Sequence, residues 1–288
     1  MLEELISKNM SGNKVCYVCC VWFGFRRCST KTYDTDRLAY LKAHISHLQE
    51  FSHELDKIVF VVNLEEAERS LFEESKKLVP HTIGSAEVEI VERVNIGLSY
   101  GAWSDTFGRY RNEYDYFIFT EDDYYFNIDN FDSYLVEKFN MMPNSGYLCM
   151  VTINPTPEHP GEVIHAGNSV GISSTKVLNE TWEKHGCLPH SKIDSKDPFE
   201  RYCNGQEYGQ IGQTHAIYQL GYNIWDVRDD YQTPHDQGSS RKNEIPDFDH
   251  FVEVYFYWNE QKIIIPAVMK FNEPFFFINI IDEQFKCK

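Results

Sequence analysis

The chain has 288 residues, of which 42% are hydrophobic and 15% aromatic, and it carries a net charge of −17. That length points to one or two domains with a large core, and the charge excludes a nucleic-acid backbone or an anionic membrane surface as a natural partner. No apolar run approaches the roughly 20 residues of a membrane span.

The first residues, 1–14, are polar and include Glu3 and Glu4, unlike a signal peptide. Of the eight cysteines, Cys16, Cys19 and Cys20 fall inside the apolar run 15–22. The C-x-x-C-C spacing invites a zinc site, but no second ligand pair follows. Buried thiols are the better expectation. Unpaired thiols fit a reducing compartment, so a cytoplasmic location is expected.

In chain order, residues 15–23 read as a near-continuously apolar strand, suited to a parallel sheet covered on both faces. Gly24, Arg26 and Arg27 follow in a loop. Residues 36–51 have helical spacing, with Leu38, Leu41, Ile45 and Leu48 on one stripe. His44 and His47 lie one turn apart on that helix and are expected to be solvated or capping. Residues 57–64 form a second strand. Residues 65–79 form an amphipathic helix, with acids in its first turn and Lys76 and Lys77 in its last. A third strand spans 88–94, a helix about 102–113, and a fourth strand starts at Tyr116.

This β-α-β-α-β-α-β order predicts an α/β fold with a mostly parallel sheet and right-handed crossovers. A short helix over 130–140 and a strand over 146–153 come next, then a loop with three prolines at 155–161. A helix is expected over 175–185 and another over 207–220, with a strand at 221–225. Residues 227–250 are polar and irregular. Residues 251–258, 263–269 and 275–281 are strand-like or apolar.

The fourth strand ends in Glu121-Asp122-Asp123, followed by Tyr124-Tyr125-Phe126. Three adjacent carboxylates at a buried strand end repel one another and resist ionisation. A hard divalent cation relieves that cost, because Mg²⁺ and Mn²⁺ prefer carboxylate and phosphate oxygens. In open α/β sheets, ligands also gather at the carboxyl ends of strands. A solvated acidic turn is the alternative.

Four local patterns together resemble the GT-A fold of nucleotide-sugar glycosyltransferases, over about residues 15–235. Glu121-Asp122-Asp123 is similar to that family's D-x-D signature, with Glu121 in place of the first Asp. The resemblance implies that Asp123 contacts the metal, and that Glu121 reaches the ribose or a metal-bound water. Asp122 stands between them. Arg93-x-Asn95-x-Gly97-x-Ser99-x-Gly101 resembles the segment such enzymes place near the nucleotide, which nominates Arg93, Asn95 and Gly97. Gly167-Asn168-Ser169-Val170-Gly171 resembles the segment lining donor sugar and acceptor. Gln206-Glu207-x-Gly209-Gln210 is similar to the motif that carries the catalytic base of inverting members, so Glu207 is the implied base. The second acid common there is missing. His235 resembles a late metal ligand, and Asn63 stands where many relatives hold an Asp for the nucleobase.

The resemblance implies an α/β/α sandwich of Rossmann type, as one GT-A-like domain over 1–288. Its nucleotide-binding half would span 15–126, its acceptor half 127–240 and a C-terminal elaboration 241–288. It also implies an inverting, Mn²⁺- or Mg²⁺-dependent transfer of a sugar from a nucleoside-diphosphate donor, UDP first among them, to a glycan or small-molecule hydroxyl. Tyr100, Trp103, Tyr124 and Tyr125 are candidates for stacking on a base or sugar. Two rivals are a nucleotidyltransferase of similar fold and a non-catalytic nucleotide-sugar or carbohydrate-binding protein. Gly24-Phe25-Arg26-Arg27 is a poor match to the nucleotidyltransferase loop.

Overall fold

The computed structural model describes residues 12–24, 36–122, 124–126, 128–150, 152–153, 165–166, 170–194, 205–227, 252–258 and 261–266, with the backbone alone at 125, 152–153, 165, 206–207 and the last two segments. In chain order the elements are β1 (Val15–Val21), α1 (Ala39–Glu50), β2 (Lys57–Leu64), a short 3₁₀ turn (Glu66–Glu68) and α2 (Arg69–Leu78). Next come β3 (Thr82–Ile83), β4 (Ala86–Val94), α3 (Leu98–Tyr110), β5 (Tyr116–Glu121), β6 (Tyr124–Phe126) and α4 (Phe131–Met141). Then follow β7 (Ser145–Cys149), β8 (Thr152–Ile153), β9 (His165–Ala166), β10 (Gly171–Ser174) and α5 (Thr175–His185). A π-helical turn (Gly205–Ile211) leads into α6 (Gly212–Gln219), β11 (Asn223–Asp226), β12 (Val252–Trp258) and β13 (Gln261–Pro266).

Eight strands form one sheet in the order β11-β7-β10-β5-β1-β2-β4-β3. β1 pairs in parallel with β2 and β5, β2 with β4, and β7 with β11. Only β10 and the short β3 run against the rest of that sheet. β6, β12 and β13 make a separate three-stranded sheet, and β8 pairs with β9. The α/β architecture with a mostly parallel central sheet is thus the one expected.

β1 explains the layering. Its side chains alternate between the two faces. Val15, Tyr17, Cys19 and Val21 join one core with Leu41, Ile45 and Leu48 of α1, Phe72 of α2 and Leu135 of α4. Cys16, Val18 and Cys20 join the other, with Trp103 and Phe107 of α3, Val177 and Leu178 of α5 and Ile217 of α6. A strand covered on both sides needs no polar alternation, so its sequence is continuously apolar. The thiols of Cys16, Cys19 and Cys20 are buried and unbridged. Burial pushes the Cys16 thiol far up, so it stays protonated and inert.

Helix limits follow local chemistry. α5 starts at Ser174, whose hydroxyl accepts the Val177 N–H at 3.4 Å, and stops at Gly186 with φ +75°. Gly171 opens the reversed strand β10. A Cβ there would lie 2.5 Å from the Leu148 carbonyl oxygen. The expected strand at 146–153 divides into β7 and β8, and the expected helix at 207–220 begins as a π turn. No helix among the described residues is long and apolar enough to cross a membrane.

The expectation for His44 and His47 is overturned. Both are buried on the same face of α1 as Leu41, Ile45 and Leu48. His44 Nε2 pairs with the Tyr17 hydroxyl at 2.9 Å, and the ring is edge-on to Phe60. Its Nδ1 is buried with no hydrogen-bond partner among the described residues. Burial, helped by the His47 ring, lowers the His44 pKa to about 3. The folded protein therefore keeps His44 neutral at pH values where the unfolded chain, with an ordinary histidine pKa of about 6.5, binds a proton. Stability from this source is complete above about pH 6.5 and is lost as pH falls, by about 2 kcal/mol at pH 5. His44→Gln should shrink the difference between urea-unfolding free energies at pH 7 and pH 5 by about that amount. An unchanged difference would refute the assignment.

Candidate functional site

From β1 the chain steps outward to β2 and β4, then returns to place β5 on the other side of β1. The carboxyl ends of β1 and β5 therefore flank the point where the strand order reverses, where such sheets leave a crevice. The acids sit there. Glu121 is paired with Cys20 in the ladder. The Asp122 N–H donates to the Cys20 carbonyl at 3.0 Å, and the Trp22 N–H donates to Asp122 Oδ2 at 3.4 Å. Asp122, only 4% exposed, thus ties the two strand ends together. Glu121 is half-buried and accepts the Ser99 hydroxyl on Oε1 at 2.6 Å. The Thr120 hydroxyl has its single proton within reach of the Tyr124 carbonyl (3.1 Å) and the Glu121 carbonyl (3.3 Å), which links the end of β5 to the start of β6.

The segment 93–101 crosses over this end of the sheet. Arg93 donates to Asn63 Oδ1 at 2.6 Å, to Asp105 Oδ2 at 2.8 Å and to the Ile96 carbonyl at 2.8 Å. Asn63 in turn donates to the Cys20 thiol at 3.1 Å. Arg93 and Asn63 therefore link the ends of β1, β2 and β4 to the turn before α3. Asn95 is buried in the same turn. Gly97 has φ +77°, and a Cβ on it would lie 2.7 Å from the Ser191 carbonyl oxygen. The next residue, Leu98, has φ +51°. A bulky residue rarely holds that conformation unless packing enforces it. The packing is visible at Gly205, where a Cβ would lie 2.6 Å from Leu98 Cδ1.

That contact joins two stretches far apart in sequence. The π turn carries Glu207, and its Gly209 lies against the Tyr100 ring, 2.3 Å from where a Cβ would stand. Single π turns inside helices recur at functional sites. Beneath it, Tyr100, Tyr147, Ala166, Gln210, Gln213 and Thr214 help line a cavity of about 10 Å³, room for about one water. Gln213 Nε2 is buried with no partner among the described residues. Burial, then the neighbouring Tyr100, Cys149 and Glu121, raises the Tyr147 pKa well above that of an ordinary tyrosine.

Asn63, Arg93, Asn95, Gly97, Glu121, Asp122 and the backbone at Glu207 therefore sit at one end of the sheet. Asp123, Gly167, Asn168, Ser169 and His235 lie outside the described residues, as does the side chain of Glu207. The stacking expectation for Tyr100 and Trp103 is overturned, because both are core. Trp103 is stacked on Phe119 at 5.3 Å and donates its Nε1–H to the Thr120 carbonyl at 3.3 Å.

Sequence reasoning missed the rim formed by residues 188–194. Lys192 Nζ donates to His190 Nε2 at 2.7 Å, so His190 Nδ1–H is the donor to the Leu188 carbonyl, also at 2.7 Å. Burial, with the Lys192 charge adding to it, lowers the His190 pKa and favours this neutral ring. The loop meets Gly97 only in three dimensions, so its signal in sequence was slight.

The donors at the strand end are carboxylate oxygens, which suit a hard divalent cation. Among the described residues, no three His, Cys, Asp or Glu side chains converge to hold a metal.

No protein-family model and no curated protein sequence matches the chain. Solved structures resemble it weakly. A cytidylyltransferase from Leptospira borgpetersenii serovar Hardjo-bovis is 13% identical over 80% of this chain and 79% of its own, with a TM-score of 0.41. A 4-diphosphocytidyl-2C-methyl-D-erythritol synthase is 10% identical over 77% of this chain and 92% of its own, with a TM-score of 0.39. TarS of S. aureus is 15% identical over 58% of this chain and 29% of its own, with a TM-score of 0.31.

The linkage through Arg93 is testable. Arg93→Ala would leave the Asn63 amide oxygen and the Ile96 carbonyl without this donor, at a cost of about 2–4 kcal/mol. Chemical denaturation should show that loss. A change below about 0.5 kcal/mol, the usual size for an ordinary surface substitution, would contradict the linkage.

Proposed function

We propose that the chain is a glycosyltransferase that uses a nucleoside-diphosphate sugar, UDP-sugar first among the candidates. One observation carries this reading. Glu121 and Asp122 lie at the carboxyl end of the strand next to the topological reversal, under the start of α3, and that start packs on the π turn that bears Glu207.

Asp123, with Glu121 beside it and His235 as a further candidate, would hold Mn²⁺ or Mg²⁺. Such an ion, when bound, supplies positive charge to the diphosphate leaving group. The chain's own residues do the rest. Ser99 fixes one oxygen of Glu121 through its hydroxyl, leaving that carboxylate a set orientation. Asn63, Arg93, Asn95 and Gly97 shape the nucleotide side of the crevice. Gly167, Asn168 and Ser169 would line the sugar. Glu207 would take the proton from the acceptor hydroxyl, and displacement from the opposite face would invert the anomeric centre. The base must approach its hydroxyl to about 3 Å.

Nucleotidyl transfer on the same sheet is the rival. It would release pyrophosphate from a nucleoside triphosphate, whereas sugar transfer releases a nucleoside diphosphate. Product analysis with both donor types separates them. Asp123→Ala should abolish Mn²⁺-dependent donor binding in calorimetry. Glu207→Gln should bind donor normally and lose transfer by about 100-fold or more, the usual contribution of a general base. Full activity in Glu207→Gln moves the base elsewhere, and pyrophosphate release favours the rival.

A further inference from the structure

We infer that His47 is a positioning residue for the acid segment. Its Nε2–H is donated to the Phe126 carbonyl, and this fixes the return strand that follows Glu121, Asp122 and Asp123. The inference rests on the proposed function for its catalytic meaning, but not for its geometry.

The chain changes sheets across the acids. β5 belongs to the central sheet and β6 to the three-stranded sheet with β12 and β13. The leading end is fixed by β1, through ladder pairing and the Asp122–Cys20 bond. The return end leaves that ladder and pairs with β12 instead, Phe126 opposite Val252, and α1 adds a side-chain donor to it. Phe126 is buried, stacked on Phe131 with ring centres 4.6 Å apart, and edge-on to Tyr17 at 6.3 Å. Tyr17 is in turn bonded to His44, one turn before His47.

A carbonyl can only accept, so the Phe126 contact places the proton of His47 on Nε2. An apolar residue would continue the stripe of Leu41, Ile45 and Leu48 equally well, but would remove this side-chain donor to the Phe126 carbonyl. Histidine at this position is therefore explained by the strand it holds. Through Thr120, whose hydroxyl donates to the Tyr124 carbonyl, the same brace meets the end of β5. Glu121 and Asp122 thus lie between two held strand ends, which preorganises their carboxylates.

The test uses the full chain. His47→Phe keeps a flat ring against Phe51 and removes the donor; His47→Gln keeps an N–H donor near the position of Nε2. Two readouts are taken. One is amide hydrogen exchange over residues 120–126 without ligand. The other is Mn²⁺-dependent UDP binding.

In His47→Phe, exchange should rise about tenfold and binding should weaken by a similar factor, the size expected from one lost hydrogen bond. His47→Gln should restore both. Wild-type exchange in His47→Phe, or failure of Gln to restore it, would overturn the inference. Absence of UDP binding in the wild-type protein would count against the proposed function, while the exchange data would still decide the brace. Should His47→Phe not fold, nitrogen-15 NMR of the wild-type His47 ring decides. A protected Nε2 proton supports the brace and an Nδ1–H tautomer refutes it.

Discussion

β1 is paired on both edges and buried on both faces, and the remaining architecture follows from that constraint. All seven of its residues are buried. A strand in that position leaves no room for charge along its length, because a buried unpaired charge costs several kcal/mol. Polar groups that act on a ligand must collect where the strand ends. The ends of β1, β2, β4 and β5 come together at one edge of the sandwich, and Asn63, Arg93, Glu121 and Asp122 lie there.

The polar groups at this edge are mostly bound to one another. Arg93, Asn63 and Cys20 link three strand ends, and Asp122 links β1 to β5. Ser99 holds Glu121 from α3. Such mutual satisfaction makes a polar cluster rigid. Leu98 shows that the order has a cost, since its left-handed backbone is held by packing against Gly205.

Much of the fold was legible in the sequence because it rests on local periodicity. β2 occupies the residues expected, and α5 is bounded by Ser174 and Gly186 as capping chemistry dictates. What depends on distant contacts was not legible. The reversal of β10 is decided by its neighbours β5 and β7. His44 and His47 share a face with Leu41 and Leu48, and that spacing was the available signal. An apolar stripe alone does not reveal which polar side chains it carries inward. The packing of residues 190–191 against Gly97, and of Gly205 against Leu98, likewise joins segments whose approach no local pattern records. Within the site, Glu121 and Asp122 stood out as acids after an apolar strand, whereas the Ser99 hydroxyl that orients Glu121 was visible only as one letter of a longer motif.

The most direct measurement is thermal stability of the wild-type chain with UDP, GDP, CMP and dTDP, each with and without Mn²⁺. A ligand that binds only the folded state raises its stability by mass action, by about 2.7 kcal/mol at 100 times the dissociation constant. The account predicts a rise in melting temperature with one diphosphate that requires Mn²⁺. No rise with any of them would leave Glu121, Asp122 and Asp123 as a structural strand end and contradict the glycosyltransferase reading.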